Sequence, residues 1–177
     1  MNILLKALRT ASVAHKFQMR KDGVTPFINH PIQVAELISS VGGIQNEDIL
    51  SAAILHDIIE DTTTSDTLLR DMFGAKIADI VLECSDDKSL SKKERKRLQV
   101  ATVSKKSYEA KIIKLADKIA NMSDILINPA TGWDLERKLA YFEWSKEVID
   151  AGLRGINSEL EYKFDKVYQQ KELLLEE

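Results

Sequence analysis

Ala53-Ile54-Leu55-His56-Asp57-Ile58-Ile59-Glu60-Asp61 sets an adjacent His and Asp, and two acids one turn later, inside an otherwise apolar run. If the run is a helix, each residue advances by about 100°. Relative to His56, Glu60 then lies at about 40°, Asp57 at about 100° and Asp61 at about 140°. The four polar groups line one side, and Ile54, Leu55, Ile58 and Ile59 fill the remaining circumference. A helix that is apolar nearly all round is buried. Four titratable groups in such a helix are costly unless they are paired, hydrogen-bonded or bound to a metal. The plainer alternative is a pair of capping residues beside a solvated acidic edge.

On both sides of this stretch the periodicity is helical. Ile3, Leu4, Ala7, Leu8, Ala11 and Ala14 give a first helix to about Phe17. Arg20-Lys21-Asp22-Gly23 breaks it, and Pro26 and Pro31 punctuate a loop. Pro31 suits a first helical position, and Gly42-Gly43 ends the helix it opens. Asn46 or Glu47 starts the central helix, expected to run unbroken to about Asp61. Thr62 to Ser65 are cap formers before a short helix that ends at Phe73-Gly74. Ile77, Ile80, Val81 and Cys84 share a face of the next helix, and Ser91 with Glu94 offers a capping box for the one after. Tyr108 to Leu126 and Trp133 to Ile149 read as long helices, the second with Leu135, Leu139, Phe142 and Val148 inward. Ile156 to about Leu174 is the last. No stretch reads as a strand, and there is no repeat, linker or low-complexity tract. The expected architecture is all-α: residues 1–177 as a single compact domain of about eight to ten helices.

Composition narrows the functional classes. The 177 residues are 44% apolar and 30% charged, ordinary for a globular domain with a substantial core. The net charge of −3 argues against coating nucleic acid. No segment approaches the ~20 apolar residues of a membrane span, and the N-terminal apolar run is too short for a signal peptide. A lone Cys84 excludes an intramolecular disulfide and a cysteine-rich zinc site, which points to a reducing, cytoplasmic setting.

Three further segments carry candidate chemistry. His30 stands between Pro26 and Pro31, just ahead of a helix, with a direction that suits a ligand. His15 has no acid near it in sequence and reads as a packed or helix-terminal histidine. In Lys114-Leu115-Ala116-Asp117-Lys118-Ile119-Ala120-Asn121-Met122-Ser123-Asp124, residues Asp117, Asn121 and Asp124 fall on one helix face. Alone, Asp117 fits a buried cap or a salt bridge to Lys118. Taken together, His30, His56, Asp57 and Asp117 supply two imidazoles and two carboxylates. That set suits Mn²⁺, Fe²⁺ or Zn²⁺ and is too rich in nitrogen for a typical Mg²⁺ or Ca²⁺ site. A metal there acidifies its water and polarises a phosphoryl oxygen. Glu60 and Asp61 are placed to orient that water or take its proton. The basic run Lys92, Lys93, Arg95, Lys96 and Arg97 is either a solvated face or a surface that meets phosphates.

These residues resemble the HD-domain superfamily of metal-dependent phosphohydrolases, whose pattern is a His, a His-Asp pair and a distant Asp. The resemblance is closer to the hydrolase domain of RelA/SpoT proteins, and within it to the Mesh-type small alarmone hydrolases. Arg20-Lys21-Asp22-Gly23, Pro26 to Pro31, His56 to Asp61, Asp86-Asp87-Lys88-Ser89-Leu90, Glu94 to Gln99, Leu115 to Lys118, Trp133 and Tyr141-Phe142-Glu143-Trp144 carry it, over about residues 5 to 170. It implies hydrolysis of the 3′-pyrophosphate of (p)ppGpp with Mn²⁺. It makes His30, His56, Asp57 and Asp117 the metal ligands and Glu60 with Asp61 the water-activating pair. Arg20 and Lys21 match residues flanking the guanine base, and Asn121 and Tyr141 residues around the nucleotide sugar. Two departures are small: a short loop after Asp22, and Phe27 where Tyr is common. The family's synthetases carry a second catalytic domain, for which this chain is too short, so degradation alone is expected. The partner implied is a small nucleotide. Two other readings stay open: the same site acting on the 2′-phosphate of NADPH or on a nucleoside monophosphate, and a non-catalytic alarmone-binding module using the basic helix.

Overall fold

A computed structural model describes residues 2–175. Its helices are α1 (Ile3–Ala14), α2 (Asn29–Glu36), α3 (Glu47–Leu55), α4 (Ile58–Asp61), α5 (Asp66–Cys84), α6 (Lys92–Thr102), α7 (Tyr108–Ile127), α8 (Leu135–Gly152) and α9 (Ser158–Gln169). A π-helical turn, Leu37–Val41, extends α2, and 3₁₀ turns follow α6 at Val103–Lys105 and α9 at Gln170–Leu175. Among the described residues there is no strand; one isolated bridge between Met19 and Pro26 ties the loop after α1. The all-α expectation is borne out. No described helix is long and apolar enough to cross a membrane.

The helix starts follow the capping chemistry. Asn2, Asn46, Ser65, Ser91, Ser107, Asp134 and Asn157 each accept a first-turn N–H through the side chain. Only half of the expected capping box forms at Ser91. Ser91 takes the Glu94 N–H, but the Glu94 carboxylate grips Arg97 instead. Gly74 breaks α5 where the sequence places a break, at φ +82°, a conformation that glycine adopts without Cβ strain. At the end of α8 the need for glycine is one of space. A Cβ on Gly152 would lie 2.5 Å from Ser104 Cα, so α8 sits directly on the turn that follows α6.

α7 is the axis of the packing. It meets α2, α3, α5, α8 and α9, and its buried positions run from Ala110 to Ile125. Around it, Ile38, Leu55, Ile58, Phe142, Ile149 and Phe164 are fully buried in one apolar core. Ile77, Ile80, Val81 and Cys84 face that core as expected. In α8, Phe142 and Val148 point inward, while Leu135 is 42% exposed and off the inner face.

The central helix does not run unbroken to Asp61. α3 ends at Leu55, His56 and Asp57 form a turn, and Ile58–Asp61 is one separate turn. His56 Nδ1 lies 2.7 Å from the Ala53 carbonyl. In a continuous helix that carbonyl would take the Asp57 N–H. Asp57 instead sits at φ −101°, ψ 0°. The side chain has captured the backbone acceptor, and the chain kinks at His56 and Asp57.

Candidate active site

Three elements deliver four donor atoms to one point. His30 comes from the start of α2, His56 and Asp57 from the kink, and Asp117 from the middle of α7. His30 Nε2 is 3.2 Å from Asp117 Oδ1 and 3.7 Å from Asp57 Oδ2. His56 Nε2 is 3.2 Å from Asp57 Oδ2 and 3.8 Å from Asp117 Oδ1. Donors about 2.1 Å from a common cation, at angles of 90–110°, would be separated by about 3.0–3.5 Å; the two 3.2 Å pairs lie in that range, and the pairs at 3.7 and 3.8 Å lie just above it. His30, His56 and Asp117 each offer an atom within 4.8 Å of the others. The kink adds the Asp57 carboxylate, which a straight helix would have aimed about 100° away from His56. With Nδ1 committed to Ala53, His56 turns Nε2 to the Asp57 and Asp117 carboxylates. A buried imidazole nitrogen facing two carboxylates is what an N/O metal site requires.

Protonation in the metal-free site follows from burial and these neighbours. Burial and the nearby Arg20 keep the His30 imidazole below its usual range, so it is neutral and ligand-ready. Burial alone would also depress His56; the Asp57 and Asp117 carboxylates outweigh it and push His56 up to about 9. Burial likewise works against the charges of Asp57 and Asp117. His56 and His30 overcome it for Asp57, and Lys118 with His30 overcomes it for Asp117, so both stay ionised well below the usual carboxylate range. A proton on His56 therefore holds the place of a cation. Because the folded value is raised, its stabilising contribution is full below about pH 6.5 and is lost as pH rises through about 9. Metal uptake must displace that proton. The gain in melting temperature on adding a divalent cation is expected to be larger at pH 8.5 than at pH 6.5, read by calorimetry at both values. An equal gain at both would remove proton competition at His56.

Glu60 and Asp61 stand beside the cluster on α4. Glu60 Oε2 accepts the Asp86 N–H at 3.1 Å, and Oε1 lies 3.3 Å from Arg95 Nη1. Burial, more than any neighbour, raises the Glu60 carboxyl above its usual range, with Asp57 adding to it. Asp61 Oδ1 accepts from Lys88 Nζ at 2.6 Å, and the Asp61 carbonyl takes Gln18 Nε2 at 2.7 Å. His15, at the end of α1, holds Gln18 in turn (2.8 Å) and packs on Phe27, the packed role its sequence context suggested.

Arg20 and Lys21 lie in the loop after α1, not at its end. The Arg20 side chain is 8% exposed and turns onto α7: Nη2 is 2.6 Å from Asp124 Oδ2 and 2.8 Å from Asn121 Oδ1. Asn121 Nδ2 passes the link on to Asp117 Oδ1 at 2.5 Å. Asp117 Oδ2 meets Lys118 Nζ at 3.1 Å, so the salt bridge weighed from sequence coexists with the cluster. Arg20→Ala is expected to cost about 2–3 kcal/mol of stability, because it strands the Asp124 carboxylate and frees Asn121. Thermal unfolding should fall by about 5–10 °C. An unchanged melting temperature, with only KM for substrate altered, would make Arg20 a substrate contact and not a tie to α7.

The cleft over the cluster holds about 280 Å³. Among the described residues lining it are eight Lys or Arg against five Asp or Glu, so an acidic protein has gathered cations here. Lys92, Arg95, Lys96 and Gln99 line it from α6 at i, i+3, i+4 and i+7, whereas Arg97 turns out to Glu94. Aromatic rings pack against that same stripe: Trp144 Nε1 donates to the Lys96 carbonyl, and Lys96 lies over the Tyr141 and Trp144 rings. Lys21 Nζ lies 5.1 Å from the Trp133 ring centroid and 5.3 Å from that of Tyr141. Lys96 and Lys118 lie 4.5 and 4.4 Å from the Trp144 centroid. Burial and Arg20 lower Lys21 to about 8, and burial with crowding lowers Lys92 and Lys96. Such crowding is relieved by an anion. Tyr141 is buried beneath these lysines between Trp133 and Trp144. Sequence reasoning offered the whole basic run, Lys96 included, as a surface for phosphates without separating its faces, and did not assign Lys118, Trp144 or the Asp86 N–H to the site. The i, i+3, i+4, i+7 stripe on α6 was the available signal for the separation.

An all-helical fold with a His, a kinked His-Asp pair and a distant Asp defines an HD domain, and the profile of the HD domain family matches residues 7–140. The chain is 45% identical over 171 residues to the guanosine-3′,5′-bis(diphosphate) 3′-pyrophosphohydrolase MESH1 of Drosophila melanogaster, covering 96% of this chain and 95% of that one. It is 42% identical to the human MESH1 protein over 173 residues, 97% and 96% of the two chains. A solved structure described as a metazoan ortholog of SpoT that hydrolyses ppGpp superposes with a TM-score of 0.93 at 44% identity, covering 98% of this chain and 97% of that one. The chain belongs to the HD domain family, in the group formed by the MESH1 proteins.

Proposed function

We propose that the chain is a divalent-metal-dependent (p)ppGpp 3′-pyrophosphohydrolase that releases GDP or GTP and diphosphate. The observation that carries this is the meeting, in one cleft, of the His/Asp cluster with a wall of crowded cations. The first suits phosphoryl chemistry and the second suits a polyanionic substrate. The named activity of the MESH1 relatives, over nearly the whole chain, supports the same substrate.

His30, His56, Asp57 and Asp117 are the proposed metal ligands, and the mixed donor set favours Mn²⁺, with Fe²⁺ or Zn²⁺ as alternatives. When bound, the cation supplies Lewis-acid polarisation of a phosphoryl oxygen and acidifies its water. Glu60, held by the Asp86 N–H and Arg95, takes the proton of the attacking water. Asp61, fixed by Lys88, assists in orienting it. The water oxygen bonds to the phosphorus carried on the 3′ oxygen, the bond from that phosphorus to the 3′ oxygen breaks, and the proton taken by Glu60 returns to the 3′ oxygen, which leaves as a hydroxyl. Lys21, Lys92 and Lys96 neutralise the phosphates. Tyr141 and Trp144 give the cleft an apolar surface against which the nucleoside lies, and Asn121 and Arg20 hold Asp117 in place.

The test is a panel of ppGpp, NADPH and a nucleoside monophosphate, offered to metal-loaded protein and scored for diphosphate and orthophosphate. The proposal expects diphosphate from ppGpp. Orthophosphate from NADPH or the monophosphate, with ppGpp untouched, would keep the site and change the substrate. No product from any of them would turn the reading to a binding module.

A further inference from the structure

One buried cation in the cleft has no role in the account so far. Lys114 lies one turn before Asp117 on α7, and Lys114, Asp117 and Asn121 fall at i, i+3 and i+7, on the same face. Lys114 is 7% exposed and lines the cleft. Its neighbours of like charge are all engaged. Lys118 is bound to Asp117, Lys88 to Asp61, and Lys106 gives its ammonium to the Glu83 carbonyl. Among the described residues, Lys114 makes no hydrogen bond and no ion pair. Its charge acts on Glu60, yet the two groups are not within ion-pair reach. Lys114 therefore occupies the side of Asp117 towards Glu60, opposite the Asn121–Arg20 tie. An ammonium that lines the cleft one turn from Asp117, with no hydrogen bond or ion pair of its own, is placed to take a partner from the ligand.

We propose that Lys114 is a substrate-binding catalytic residue whose ammonium takes a non-bridging oxygen of the phosphoryl group held between the His/Asp cluster and Glu60. The inference rests on the phosphohydrolase reading, but it concerns the anion and not the nucleoside. As the bond to the 3′ oxygen breaks, charge builds on the phosphoryl oxygens, and a preorganised cation stabilises it most at that moment. Lys114 donates a hydrogen bond in this step and transfers no proton. The ion pair that the free protein lacks is completed by the substrate.

The test uses Lys114→Met, which keeps the length of the buried stem and removes the charge. Metal content should be unchanged, and kcat should fall by about 10²–10³-fold, as for loss of one donor to developing charge. The melting temperature without ligand should change little, since Lys114 makes no hydrogen bond or ion pair that the substitution would break. Affinity for inorganic diphosphate, measured by calorimetry on the metal-loaded protein, should fall at least about tenfold, with Lys114→Arg recovering part of it. A lower melting temperature together with unchanged diphosphate affinity would overturn the proposal and make Lys114 a structural residue. So would loss of metal in Lys114→Met. Diphosphate binding needs no nucleotide, so the two readings separate. If wild-type protein left ppGpp intact yet bound diphosphate through Lys114, the substrate would be wrong and the anion site would stand. If ppGpp were cleaved equally by wild-type and Lys114→Met protein, the substrate would stand and the anion site would fall.

Discussion

Asp117→Ala is expected to leave a protein that neither retains a divalent cation nor turns over ppGpp. Asp117 Oδ1 faces both imidazoles, 3.2 Å from His30 Nε2 and 3.8 Å from His56 Nε2, and it also anchors Asn121. Loss of an outer partner of a metal ligand typically costs about 10–100-fold in affinity, and loss of a ligand itself should cost more. The substitution also strands the buried Lys118, which loses the carboxylate 3.1 Å away. Some destabilisation is therefore expected, and Asp117→Asn serves as the milder control. His56→Ala should behave alike, with a second consequence. It frees the Ala53 carbonyl that now holds the kink, so the run into α4 can become more helical and carry Asp57 away. Metal content after gel filtration, beside activity, is the measurement. A fully loaded and active His56→Ala protein would remove the site described here.

Glu60→Gln is expected to separate metal from turnover. The amide keeps the shape of the carboxylate and can still accept the Asp86 N–H, but it cannot take a proton. General-base assistance is typically worth about 10²–10⁴ in rate, so kcat should drop by that factor with metal content intact. If metal and rate were lost together in Glu60→Gln, Glu60 would be a ligand and the proton acceptor would lie elsewhere.

Much of this was legible from the chain, because helical periodicity and caps are local. Gly74, Ser91 and Asn46 act where their residue types imply. The four proposed ligands are also the ones the structure gathers. The kink at His56-Asp57 was not legible. The break carries neither Gly nor Pro, and it depends on one side chain reaching back three residues to Ala53. The orientation of Arg20 was hidden for a different reason: its partner Asp124 is 104 residues away, and nothing local distinguishes a cation that meets a nucleotide from one that ties a loop to α7. The basic helix was ambiguous for as long as its faces were not separated. Lys92, Arg95 and Lys96 belong to the cleft, and Arg97 to the solvent side.

A cluster of two histidines and two aspartates that serves a metal-dependent enzyme acting on the 3′-diphosphate of a guanosine nucleotide should fail without its cation. The experiment strips the protein of metal with a chelator, restores Mn²⁺, and follows ppGpp by anion-exchange chromatography. No turnover is expected in the stripped protein and, on restoration, GDP and diphosphate in equal amounts. Orthophosphate in place of diphosphate, or turnover indifferent to the chelator, would rule out the proposed reaction.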